Sequence, residues 1–229
     1  MSSDDNAGRR ASPGAPAGGG GPRRRDIQGL RAVCMMQVLA YHAWRIGSPV
    51  GVDAFIMISA YLMTGSFVRR TEAGRMPFFA ERWAHTFKRL LPPLVTTVLA
   101  TIVASMVILP RTRWNELITQ GVASVTYWQN WRLAVVSADY FAANRGAASP
   151  LQHLWSMSMQ GQVFLAWPLL MTCCVLLARA LHIRPRPVIL AAFAALTAVS
   201  LRWLVADAPA GRTVYFDTRA RLWEFALGS

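Results

Sequence analysis

Arg31-Ala-Val-Cys-Met-Met-Gln-Val-Leu-Ala-Tyr-His42 runs, eight residues later, into Val50-Gly51-Val52-Asp53-Ala54-Phe55-Ile56-Met57-Ile58-Ser59, and this stretch decides the fold. Both halves are apolar runs of helical length broken by a few polar groups. In a helix, Arg31 and His42 fall within about 20° of one face and about 16 Å apart along the axis. One face thus carries a cation and an imidazole, and the following segment has a carboxylate at its entrance. Ionisable side chains are costly to hold inside membrane-length segments, so Arg31, His42 and Asp53 are candidates for function.

The composition agrees with a membrane body. Across 229 residues the hydrophobic content is 54% and the mean hydropathy +0.30, high for a soluble globule of one domain. The formal charge of +13 is carried by arginine, with Lys88 the only lysine. These cations sit beside apolar runs with no basic recognition module between them, which points to orientation in a membrane and away from a nucleic-acid partner. Cys34, Cys173 and Cys174 lie in apolar segments, and no Cys/His spacing suggests a metal site. Residues 1–26, polar and rich in Gly, Pro, Ala and Arg, are expected to form a disordered basic tail and not a cleavable leader.

The expected fold is all-α: a polytopic bundle of about five complete membrane helices plus the start of a sixth. The spans are placed at 27–46, 50–68, 90–109, 155–178 and 188–206, with the sixth beginning at Tyr215. A turn at Gly47-Ser48-Pro49 pairs the first two as an antiparallel hairpin, with Arg31 near the basic end of its helix. Pro92 and Pro93 are expected in the first turn of the third span, where a missing amide hydrogen is harmless. The apolar run 117–127, flanked by Trp114, Trp128 and Trp131, is too short to cross and is expected to be interfacial or re-entrant. Placing the arginines of 69–89 and 179–186 on one side puts the N-terminus inside and the Trp-rich segment outside.

Arg31-x10-His42 followed by Gly51-Val52-Asp53-x-Phe55 and Ile58-Ser59 resembles the opening of the acyltransferase family 3 membrane domain. Phe78-Phe79-x-x-Arg82 and Lys88-Arg89-Leu90-Leu91-Pro92 resemble the family's next stretch. Ser149-Pro150, His153 and Trp155-Ser156 resemble a later signature, and Tyr215-Phe216-x-Thr218-Arg219-x-Arg221-Leu222-Trp223-Glu224 another. After the tryptophan and serine the family usually has paired glutamates, then glutamine and phenylalanine. Here the order is Gln160-Gly161-Gln162-Val163-Phe164, and since an amide cannot accept a proton at neutral pH, Gln160 is given no acid–base role. Members usually have more membrane helices than this, so the resemblance implies that 27–229 is an N-terminal portion of the domain.

The resemblance implies an O-acyltransferase of the bacterial cytoplasmic membrane. It would move an acyl group, often acetyl, from acyl-CoA as donor substrate to a hydroxyl of a carbohydrate or glycolipid, with no permanently bound cofactor. His42 is the expected general base, because imidazole takes a proton near neutral pH; the competing view is a histidine hydrogen-bonded across the bundle. Asp53 would support His42, or pair with Arg31 or Arg45 as structural glue. Arg31, Arg82 and Arg89 would meet the donor's phosphates, Arg31 alternatively joining the catalytic group by fixing the charge state around His42, or snorkelling to the interface. His153, Ser156 and Gln160 share a helix face and, with Gln162, would line the acceptor path. Glu224 would face the reaction cavity or pair with Arg221 three residues before it. From a different class, the chain could be a transporter or non-catalytic scaffold in which Arg31, His42 and Asp53 form a proton or structural network.

Overall fold

The computed structural model describes residues 25–44, 46, 50–74, 79–143, 149–207 and 212–229, and among these no strand is present. The helices are α1 (Arg25–Trp44), α2 (Val50–Glu72), α3 (Phe79–Ile108), α4 (Trp114–Val125), α5 (Gln129–Ala143), α6 (Trp155–Ala180), α7 (Pro185–Asp207), α8 (Arg212–Phe216) and α9 (Thr218–Gly228). Tight turns at Arg111–Arg113 and Gln152–Leu154 lead into α4 and α6.

Among the described residues, four segments are long and apolar enough to cross a membrane: Val50–Glu72, Arg82–Ile108, Gln152–Ala180 and Pro185–Ala206. Four of the five expected spans therefore meet that measure of length and apolar character among the described residues. Helix α1 has 20 residues, but Arg31, Gln37 and His42 dilute its apolar character and it is not one of the four. The expected start of a sixth span is two short helices, α8 and α9. The Asp217 carboxylate separates them and accepts a hydrogen bond from the Arg219 amide at 2.8 Å, capping α9.

Helix α3 also begins earlier than expected. Residues 79–91 contain neither glycine nor proline, so nothing interrupts the helix across the basic connector, and Pro92 and Pro93 fall inside it and not in a first turn. The Arg82 guanidinium fixes this early part to α2, donating to the Ser66 hydroxyl at 2.6 Å and the Met63 carbonyl at 3.3 Å. Most of the run 117–127 lies in α4, whose 12 residues reach only about 18 Å. Tyr127, at φ 57°, then turns the chain into α5, which the sequence pattern did not suggest.

The core forms where α2, α6, α7 and α9 meet, with Ile56, Phe67, Met159, Val163, Trp167 and Phe225 buried together. Close helix approach depends on small residues. A Cβ on Gly51 would stand 2.6 Å from the Cys34 carbonyl oxygen, and one on Gly228 would stand 2.4 Å from the Met57 carbonyl oxygen. Gly51 therefore faces Cys34 while Phe55 faces Arg31, an antiparallel register in which the last turns of α1 project past the entrance of α2. At the other end of α2, Glu72 pairs with Arg186 of α7 at 2.5 Å, so the arginines near 69 and those near 186 share one end of the bundle.

Replacing Gly51 by Val is expected to part α1 from α2 and cost about 1–3 kcal/mol, because the obstruction at Cys34 is backbone and cannot swing aside. Thermal unfolding of the detergent-solubilised protein measures it, and an unchanged midpoint would refute the close contact.

Candidate active site

His42 lies one turn beyond Val38 on the edge of the α1 face that packs on α2. Its Nδ1 is 2.8 Å from the Val38 carbonyl oxygen. A carbonyl only accepts, so Nδ1 carries the hydrogen and the neutral ring has its lone pair on Nε2. The ring is exposed, with Tyr41 edge-on at 5.4 Å. His153, in the turn before α6, lies within electrostatic reach of His42. The two histidines singled out in the sequence thus come to one end of the bundle.

Beside them lies a buried ion cluster. The Arg221 guanidinium on α9 pairs with the Asp53 carboxylate of α2, and with Glu224 one turn along α9 at 2.9 Å. Trp155 and Tyr215 flank it, their ring centroids 5.2 and 4.9 Å from the guanidinium carbon. Side-chain exposure is 10% for Arg221 and 3% for Glu224, so the pairing between them is shielded from water; Asp53, at 37%, is less so. Tyr215 is in electrostatic range of Arg221, Asp53, Glu224 and Tyr41, linking the cluster to the residue next to His42.

Several expected placements change. Asp53 is held by Arg221 and not by Arg31; Arg45, the other expected partner, lies outside the described residues. Arg31 lies with its guanidinium carbon 4.8 Å from the centroid of the Phe55 ring, near the entrance of α2 and far from the arginine-rich end where it was expected. Arg82 is bonded to α2 as described above, whereas Arg89 is exposed on α3. The Ser156 hydroxyl turns back to the His153 carbonyl at 3.4 Å, and Gln160 is half-buried.

Gln162, expected along the acceptor path, is saturated by protein. Its nitrogen donates to the Tyr127 carbonyl at 2.7 Å and to Asn130 Oδ1 at 2.9 Å, while its oxygen accepts from Trp131 Nε1 at 3.2 Å and the Thr218 hydroxyl at 2.8 Å. Both donors and both lone pairs are used, which makes this amide a junction of α5, α6 and α9.

A family model described as an acyltransferase domain matches residues 24–228. The chain belongs to acyltransferase family 3. The O-acetyltransferase OatA of Staphylococcus aureus is 31% identical over 211 residues, covering 88% of this chain and 33% of the relative. The peptidoglycan O-acetyltransferase OatA of Listeria monocytogenes is 32% identical over 146 residues, covering 62% of this chain and 23% of that protein. The chain therefore spans a third or less of the length of these curated relatives. No solved structure matches.

Within this family-3 chain, the departure at 160–161 has a steric counterpart. A Cβ on Gly161 would stand 2.0 Å from the ring of Tyr127, which fills the space a glutamate side chain would need. The Tyr127 hydroxyl is buried with no hydrogen-bond partner among the described residues, and burial pushes the phenol above its ordinary range.

Two outcomes follow for stability. Arg221→Met leaves two carboxylates without their cation and is expected to cost about 3–5 kcal/mol, whereas Asp53→Asn removes a partly exposed partner and should cost about 1 kcal/mol. Equal losses in unfolding experiments would disprove the central position of Arg221. Gly161→Glu should destabilise, and adding Tyr127→Ala should recover part of the loss by vacating the space; a purely additive double variant would show that the two sites are uncoupled.

Proposed function

We propose that the chain forms the membrane-embedded part of an O-acyltransferase that moves an acetyl group from acyl-CoA to a hydroxyl of a cell-envelope carbohydrate, with His42 as general base. The observation that carries this is the Nδ1 hydrogen bond of His42 to the Val38 carbonyl, which leaves Nε2 as the proton acceptor on an exposed ring. As the acceptor oxygen attacks the thioester carbonyl, Nε2 takes its proton. Collapse of the tetrahedral intermediate then expels the CoA thiolate, which takes that proton back, leaving an acetyl ester and free CoA.

Asp53 and Glu224 both meet the Arg221 guanidinium and offset its positive charge beside the proposed base; burial raises the Glu224 carboxyl to about 7, so it is not fully ionised at neutral pH. Arg31 positions donor phosphates or sets the charge beside Asp53, and Arg89 is a further exposed cation for the donor. His153, Ser156 and Gln160 lie toward the acceptor. The shared end of the two arginine clusters, joined by Glu72 and Arg186, supports an orientation with that end and the N-terminus in the cytoplasm. The relative named a peptidoglycan O-acetyltransferase supports a peptidoglycan sugar as acceptor.

Membranes containing the full chain, incubated with labelled acetyl-CoA and envelope glycans, should transfer label to an alkali-labile ester. His42→Ala should lower the rate about 10²–10⁴-fold at unchanged expression and insertion. Full activity in His42→Ala would remove the base, and proton-coupled flux without acyl transfer would replace the enzyme by a transporter.

A further inference from the structure

Beside the first turn of α9, on the side away from Arg221, an open groove of about 880 Å³ lies between α4, α5 and the start of α9. Trp128, immediately before α5, and Trp131, Arg132 and Val135 on α5 line one side, and Asp217, which caps α9, and Arg219 in its first turn line the other. The spacing of the α5 residues puts them on one helix face. The Trp128 and Trp131 rings are 5.8 Å apart and inclined by 32°, and Trp128 is 58% exposed. The Arg219 guanidinium lies over Trp131 at 5.4 Å and Trp203 at 4.3 Å, with Asp217 paired to it at 2.8 Å. Arg132 adds a second cation, whose Nε is buried with no hydrogen-bond partner among the described residues.

We propose that this groove is a subsite for the glycan chain of the acceptor, an inference that rests on the carbohydrate acceptor proposed above. Three features select a sugar. The volume is that of a small-molecule site. Indole faces offer broad apolar surface for the C–H side of a pyranose ring. The rim supplies donors from Arg132 and Arg219 together with acceptors from the exposed Thr119 and Thr126 hydroxyl oxygens, whose hydrogens are directed to α4 carbonyls, and a sugar hydroxyl needs both kinds of partner. A lipid acyl chain would have to lie against three charged groups. A phosphate headgroup requires donors only, and Asp217 already cancels one of the two arginines. Residues 217–221 then serve both sides of α9, with Arg219 toward the groove and Arg221 in the ion cluster.

The test titrates soluble, uncrosslinked peptidoglycan strands into the full chain held in phosphatidylcholine nanodiscs. Trp128→Ala should weaken binding about tenfold or more, and Trp128→Phe should retain most of it. Far-UV circular dichroism of both variants checks that the helices persist. Equal affinity of Trp128→Ala and the parent, absence of binding by the parent, or displacement of the strands by phosphatidylglycerol in the disc would each overturn the subsite. Labelled acetyl transfer is followed in the same discs. Transfer combined with Trp128-independent binding refutes the subsite and leaves the acyltransferase standing; Trp128-dependent binding without transfer supports the subsite and counts against the acyltransferase.

Discussion

The bundle depends on one guanidinium. Arg221 is a nearly enclosed cation in a chain whose surroundings are largely apolar, and such a charge persists only where carboxylates and aromatic faces replace water. Glu224 meets it from its own helix and Asp53 from a helix 168 residues away in sequence. The pairing therefore fixes α9 against the entrance of α2, and α9 in turn is positioned among α6 and α7. Trp167 Nε1 reaches the Ser229 hydroxyl at 2.9 Å, and the Ser200 hydroxyl joins the Arg219 carbonyl to the Trp223 amide. A short helix with little hydropathy of its own is held in the centre by polar bonds.

Lipid supplies little driving force for one apolar helix to leave it for another, so close packing and polar pairing must hold the helices together. Both are visible at each junction. Gly51 and Gly228 let α2 approach α1 and α9 at backbone distance, and Gly161 admits the Tyr127 ring. The Gln162 amide then joins α5, α6 and α9 with every donor and acceptor used. A satisfied buried network specifies one arrangement of helices because any shift leaves a group unpaired.

This explains which features could be seen in the sequence. Long uncharged runs such as 155–178 announce a membrane helix by composition alone, and α6 follows that run closely. The Arg31 to His42 spacing is a local property of one helix and survives in α1. The start of α3 is not legible from hydropathy, because a basic, aromatic stretch looks like a loop while containing nothing that breaks a helix. The partner of Asp53 was hidden for another reason: several arginines compete for it, and only tertiary placement chooses Arg221. Gln162 carried no sign of its role, since an amide that binds substrate and one that joins helices look the same in a sequence. The exchange at Gly161 was plain as a departure from the family pattern, but its compensation by Tyr127 needed coordinates.

The ends of the bundle impose a demand on any acyl transfer through this chain. Asp53 and Glu72 lie nineteen residues apart on α2, about 28 Å along a helix axis, so the histidines and the ion cluster are separated from the arginine-rich end by most of a bilayer's hydrocarbon thickness. Under the proposed orientation, CoA would arrive at the arginine end while His42, the proposed base, stands toward the opposite face. A thioester would then be carried inward among the helices, past Arg82 at Ser66 and Met63 toward Arg31 over Phe55. Arg31, on α1, lies over Phe55, which is two residues along α2 from Asp53, and in the proposed reaction it would offset the negative charge of a donor drawn past the midpoint. In that proposed role the position of Arg31 within the bundle matters, because at the membrane surface the same arginine would meet the donor where water already stabilises it.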